Sequence, residues 1–263
     1  MSTRPIQSYF TAKRRKVEHK GGAGPTSGCG SPTLSLTGGG TGQASGHGPS
    51  ALSQTIKSIP GLDVVASFIT KNEETDLLKF LDSQSWRIDL SRRTMHFGGT
   101  YCIMPPRSAT PSERKMIEQQ VIKAPCMPEE LEFLVERMID QGIYMSDKRP
   151  QFCIVNEYLC GQGISAHIEN FRFGEPVCSL TLAGEDSMRF HELCSADDGS
   201  VRSGKASAAA RTGHRRDVLL QRRSLAVLTG DARSTWQHEI VRGRKTGKPL
   251  GWRRVSLTFR TLK

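Results

Sequence analysis

In NEYLCGQGISAHIEN, residues 156–170, a histidine and a glutamate stand two residues apart, just after a Gly-x-Gly turn. On a strand, residues i and i+2 point to one face, so His167 and Glu169 are expected to converge on one small target, a metal ion or a proton in flight. A second histidine, His238, lies far along the chain in STWQHEIV, preceded by the turn Thr229-Gly230-Asp231. Two histidines and one carboxylate make the facial set that holds a non-haem Fe(II) and leaves positions open for a co-substrate and oxygen. The third signal is RRVSLTFR, residues 253–260. Period two puts Arg254, Ser256, Thr258 and Arg260 on one face and Val255, Leu257 and Phe259 on the other. Two guanidiniums on one strand face can clamp a dicarboxylate by bidentate pairing.

Singly these are ordinary patterns. His-x-Glu also occurs as a surface pair, and alternating polar residues also line solvated strand faces. Their joint occurrence in this order is the specific observation, and it needs strands to position it. Short β-type segments follow residue 150: QFCIVNEYL, VCSLTLAG, SMRFHE, RSLAVLTG, STWQHEIV and RRVSLTFRTL. Before them, NEETDLLKFLDSQ (72–84) reads as an amphipathic helix, with an acidic first turn and Leu77, Leu78, Phe80 and Leu81 on its apolar side. Residues 112–122 and 128–142 read as two more helices, the latter with Pro128 at its first position and Gly142 as its stop. Helices first and strands afterwards predict an α+β domain built on a sandwich or jelly roll. The small-residue-rich, basic stretch 195–217 is expected to be a solvated loop, with a nucleic-acid-contacting loop as the alternative.

A formal net charge of +11 points to a polyanionic partner. Residues 20–50 are Gly/Ser/Thr-rich and nearly free of large hydrophobes, so they cannot build a core. We therefore expect a disordered tail over 1–55 and one folded domain over 56–263. Seven cysteines without a Cys-x-x-Cys spacing fit reduced thiols of a cytosolic or nuclear protein better than a disulfide framework or a zinc ribbon. No apolar run approaches the ~18 residues of a membrane span, no signal peptide is apparent, and a monomer is expected. In the tail, TRPIQSYFTAKRRK places Ile6, Tyr9 and Phe10 at i, i+3 and i+4, one side of a helical turn. Residues 3–10 resemble the peptide by which replication and repair proteins dock on the sliding clamp PCNA. Thr3 stands where that peptide has Gln, which should weaken docking. The cluster Lys13-Arg14-Arg15-Lys16 (13–16) reads as a nuclear-import signal or as loose phosphate contacts, and the nucleus is the expected location.

From about residue 59 to 263 the chain resembles the AlkB family of Fe(II)/2-oxoglutarate-dependent dioxygenases. Within that family it is similar to the AlkB domain of animal tRNA-wobble-modifying members. The stretches that carry the resemblance are IPGLDVVASFI, RRTMHFGGTY, NEYLCGQGISAHIEN, VCSLTLAG, RRSLAVLTGDARSTWQHEI and RRVSLTFR. The resemblance implies a double-stranded β-helix, in agreement with the jelly roll. It implies that His167, Glu169 and His238 bind iron and that Asn156 and Tyr158 contact 2-oxoglutarate. Arg254 would pair with the distal carboxylate of that co-substrate, and Arg260 would lie near the end that chelates iron. Arg92, Arg93, His96 and Tyr101 fall in the segment matching the lid over the nucleotide. One departure is Glu169 where the family has Asp, a difference of one methylene, ~1.5 Å of reach. Another is that the RNA-binding and methyltransferase modules flanking the tRNA-modifying members are absent from these 263 residues.

The leading expectation is oxidative demethylation of N-alkylated bases in DNA, releasing succinate, CO2 and formaldehyde. The alternatives are the same chemistry on RNA, or a degenerate, non-enzymatic fold serving as a clamp-tethered DNA-binding module.

Overall fold

The computed structural model describes residues 53–88, 90–99, 110–118, 124–170, 172–197, 208–243 and 248–263. Among them are eleven strands: β1 (Ser53–Thr55), β2 (Leu62–Val65), β3 (Thr94–Phe97), β4 (Phe152–Leu159), β5 (Ile164–His167), β6 (Val177–Leu182), β7 (Asp186–Leu193), β8 (Arg211–Leu220), β9 (Leu225–Leu228), β10 (Trp236–Ile240) and β11 (Arg253–Arg260). The α-helices are α1 (Lys71–Ser83), α2 (Pro111–Glu118), α3 (Glu129–Asp140) and the short α4 (Gly230–Ser234). A larger sheet runs β1-β2-β9-β6-β11-β4-β3 and a smaller one β5-β10-β7-β8, with antiparallel neighbours throughout. This is the expected jelly roll.

The helices form where the sequence places them, with shifted ends. Thr70 caps α1 in a reciprocal box: the Glu73 amide donates to Thr70 Oγ1 (3.2 Å) and the Thr70 amide to Glu73 Oε2 (2.7 Å). Pro128 is the N-cap of α3 rather than its first residue, and Gly142, at φ +69°, follows its end. The helix expected over 112–122 is described over Pro111–Glu118, with the Thr110–Glu113 box at its start. It belongs to a separate unit from the strands and is described by itself.

Strand β11 explains the double wall. Leu257, Val255 and Phe259 pack with Val155 of β4 and Leu180 of β6 against Leu77 and Leu81 of α1 and Leu131, Leu134 and Met138 of α3. The opposite face of the larger sheet meets the smaller sheet, where Tyr158, Val177 and Leu228 join Met188, Phe190, Trp236 and Ile240. Each fully buried aliphatic side chain contributes about 1.5–3 kcal/mol, so the two layers hold β11 from both sides. The fully buried carboxylate of Glu74 fastens α1 further. It accepts Arg222 Nε at 2.7 Å and the Ala183 amide at 2.8 Å, from two different turns.

The stretch 195–217 is not wholly a loop. Its end belongs to β8, which pairs along β7 with Asp217 opposite Arg189 and Arg216 opposite Phe190. Residues 212–217 are all exposed, so no apolar alternation announces the strand. Backbone pairing and the Arg189–Asp217 fork, both hydrogen bonds at 2.8 Å, supply the order instead.

Candidate metal and co-substrate site

The turn between β4 and β5 is built on its glycines. Gly161 has φ +83°, and a Cβ on Gly163 would lie 2.2 Å from the Ile240 carbonyl oxygen. The bare backbone of Gly163 thus lets β5 lie against β10, where His167 sits directly opposite His238. Their ring centroids are 4.5 Å apart. Cross-strand pairing, not proximity in sequence, makes the two imidazoles neighbours.

Strand β5 ends at His167, so Glu169 lies beyond it and the same-face rule for a strand is not what orients it. The following turn does that work. Arg233 of α4, itself buried, donates from Nη2 to the carbonyls of Asn170 (3.0 Å) and Phe173 (2.6 Å). The segment that delivers His238 therefore also fixes the turn after Glu169. Ligand atoms of His167, Glu169 and His238 all fall within 4.8 Å of one another.

The donor chemistry fits a divalent metal. His167 Nδ1 lies 2.8 Å from the Ser165 carbonyl, which takes that nitrogen's proton and leaves Nε2 as the lone-pair donor. Burial, helped by the neighbouring His238, pushes the His167 pKa down to about 3, so the ring is neutral. Glu169 is buried, and burial alone would raise its pKa, but Arg260 and His238 outweigh that and hold it well below the carboxylate range. Arg260 donates from Nε to Oε2 at 2.8 Å and from Nη2 to Oε1 at 3.0 Å. His238 Nε2 stands 3.5 Å from Glu169 Oε1. The neutral His167 ring, the His238 ring and the ionised Glu169 carboxylate are a donor set that suits non-haem iron.

Beside this set the larger sheet presents Asn156 and Tyr158 of β4 and Arg254, Ser256 and Thr258 of β11 to the same cavity. Arg254 is opposite Tyr158 in register, and Ser256 opposite Asn156. The Arg254 guanidinium is 1% exposed, gives Nη2 to Thr181 Oγ1 at 3.0 Å, and has no hydrogen-bond partner for Nε among the described residues. Burial lowers its pKa, with no carboxylate hydrogen-bonded to it. A buried guanidinium of this kind is costly alone and is suited to an incoming carboxylate. Arg254 and the metal set thus fit a dicarboxylate that also reaches a metal.

The structure brings together seven of the sequence-predicted residues: His167, Glu169, His238, Asn156, Tyr158, Arg254 and Arg260. It divides the expected lid. Arg92 donates from Nε to Oδ1 of the cavity-lining Asn156 at 2.7 Å. Arg93 turns the other way, into a forked ion pair with Glu157 and onto the Trp86 ring, 4.5 Å from its centroid. His96 is buried in β3 opposite Ile154. Tyr101, Ile6, Tyr9 and Phe10 lie outside the described residues. Sequence reasoning missed the Arg260–Glu169 pair and the support from Arg233 and Thr181.

A jelly roll with this metal set and this arginine pair defines an iron- and 2-oxoglutarate-dependent oxygenase. The chain belongs to the 2OG-Fe(II) oxygenase superfamily, whose family model matches residues 61–260. Its cofactors are Fe(II) and 2-oxoglutarate, and its relatives are AlkB homologues. The "Alkylated DNA repair protein ALKBH8 homolog" of Arabidopsis thaliana is 30% identical over 199 residues, 73% of this chain and 54% of that protein. The "tRNA (carboxymethyluridine(34)-5-O)-methyltransferase ALKBH8" of Macaca fascicularis is 30% identical over 190 residues, 69% of this chain and 24% of that protein. The chain thus spans about half the length of the first and a quarter of the second. The solved structure of OsALKBH1 shares the fold, with a TM-score of 0.51 at 17% identity, covering 77% of this chain and 98% of that one.

Proposed function

We propose that the protein removes alkyl groups oxidatively from nucleobases in DNA, with His167, Glu169 and His238 as the iron ligands. The observation that carries the oxidative part is the ionised Glu169 between two imidazoles, lining one cavity with the buried Arg254, which has no partner for Nε among the described residues. When bound, Fe(II) with O2 and 2-oxoglutarate supplies the oxidising power that hydroxylates an N-methyl group, which then leaves as formaldehyde, with succinate and CO2 as the other products. The protein's own residues do the rest. Ser165 and Arg260 orient the ligands, and Arg254 and Thr181 receive the far carboxylate. Asn156 and Tyr158 line the space between. A target base reaches this recessed cavity only when extruded or already single-stranded.

DNA is favoured over RNA by the clamp-docking-like peptide at residues 3–10, since an RNA enzyme has no evident use for a replication clamp, while the net charge of +11 suits either polyanion. On this reading the protein works in the nucleus, carried there by the basic cluster at 13–16. The second reading, RNA, is supported by the tRNA named for the macaque relative. Mass spectrometry of methylated DNA and RNA oligonucleotides after incubation with iron and 2-oxoglutarate tests both. Loss of 14 mass units, about one methyl exchanged for hydrogen, is expected in DNA. Methylated RNA consumed with DNA untouched replaces the DNA reading with the RNA one.

A further inference from the structure

Arg92 lies in the bend before β3, and its side chain reaches β4's Asn156. Its backbone is fixed on both sides. Gln162 Nε2 donates to the Ser91 carbonyl at 2.6 Å, and the Glu157 amide to the Arg93 carbonyl at 3.0 Å. The guanidinium is held 5.9 Å from the centroid of the Tyr158 ring, whose centroid also lies 5.4 Å from the Arg254 guanidinium.

An arginine side chain has five N–H donors and no acceptor. The Asn156 atom 2.7 Å from Arg92 Nε must therefore be the amide oxygen, which leaves the amide NH2 free to donate elsewhere. Without Arg92 the amide could turn either way, and half of its orientations would aim an oxygen lone pair at an anionic ligand. We propose that Arg92 is a positioning residue for the anionic co-substrate. It locks the Asn156 amide with its NH2 available to 2-oxoglutarate. Arg92 also lines a separate surface groove with Ile88, Leu90 and Leu159. This inference rests on the co-substrate reading of the cavity.

The test is calorimetric binding of 2-oxoglutarate to the full-length protein loaded with Mn(II) under argon, so that no turnover is needed. Charge-assisted hydrogen bonds of this kind correspond to about a tenfold or greater change in affinity. Arg92→Ala should raise Kd about tenfold, with Arg92→Lys in between, while the Tm of the ligand-free protein stays within a degree or so of wild type. Asn156→Ala should also weaken binding, and the double variant should bind about as the weaker single one does, because Arg92 acts through Asn156. Arg93→Ala, on the opposite face, should lower Tm without changing Kd. Wild-type affinity in Arg92→Ala, or additive effects in the double variant, overturns the positioning role alone. Failure of the wild type to bind 2-oxoglutarate overturns the co-substrate reading and this inference with it.

Discussion

Arg260 and Glu169, ninety-one residues apart, meet fork to fork, with both guanidinium hydrogen bonds at 3.0 Å or less. The pair lies on the cavity side of β11, so a single guanidinium fixes both oxygens of the carboxylate that the metal needs. It also accounts for the glutamate. The longer side chain reaches back from beyond the end of β5, and Arg260 removes the freedom that the extra methylene would bring.

His238→Ala and Glu169→Ala should each abolish 2-oxoglutarate turnover, measured as succinate release, whereas Glu169→Asp should retain it. Arg260→Ala should weaken metal binding about 10–100-fold, the usual effect of losing a partner that orients a ligand. Succinate release by Glu169→Ala at the wild-type rate would rule out the metal set.

Salt should inhibit turnover of 1-methyladenine or 3-methylcytosine in DNA, because Lys and Arg contacts to phosphate weaken as ions compete. Sequence preference should be slight, since the lesion's poor pairing makes it cheap to extrude. Deleting residues 199–207 should raise KM more than it lowers kcat, as loss of uniform binding does. The deletion must stop short of Arg211, which is part of β8 and donates to Gln237 Oε1 at 2.9 Å. Activity unchanged between low and high salt would remove phosphate contacts from the account.

A peptide of residues 1–20 should bind PCNA with modest affinity, in the micromolar range or weaker, and Tyr9→Ala with Phe10→Ala should eliminate it. Calorimetry measures this directly. No binding would leave residues 13–16 as the tail's one remaining signal.

Acid should destabilise the domain in part through Glu73. Its hydrogen bond from Arg137 overrides burial and brings its pKa from the ordinary 4.5 to about 2. The unfolded chain takes up that proton first, so the stabilisation is whole above pH 4.5 and is lost as pH falls toward 2. The pair is partly solvated, so Glu73→Gln should cost on the order of 1 kcal/mol at pH 7, or about 2–4 °C in Tm. The gap between variant and wild type should close between pH 4.5 and 2. A gap that persists at pH 2 would place the effect in the helix cap rather than the charge.

The sequence showed β4, β6, β10 and β11 because both of their faces meet something definite, apolar on one side and chemical on the other. Six of the seven cavity residues were legible for that reason, as each sits at a fixed parity on its strand. Glu169 was correctly grouped with His167, though for an incomplete reason, since the turn held by Arg233 does the orienting. Strand β8 was invisible because its exposed side chains carry no periodicity, and pairing with a neighbour leaves no trace in a single strand's composition. Arg92 and Arg93 looked equivalent as a pair of basic residues. Only their partners in the fold separate them, Asn156 for Arg92 and Glu157 for Arg93.

Strand β11 contributes to two interiors at once, its odd-numbered apolar residues to the helix-covered layer and its even-numbered polar residues to the cavity. A methyl group removed behind the wall is therefore a displacement in front of it. Leu257→Ala, at about 2–5 kcal/mol, would shift Ser256 and Thr258 along with the backbone they share. There is no room in such a wall for a loosened but working intermediate. Heat inactivation and loss of the fold should then coincide in one transition, and variants selected for tolerance to heat would carry their changes away from this strand.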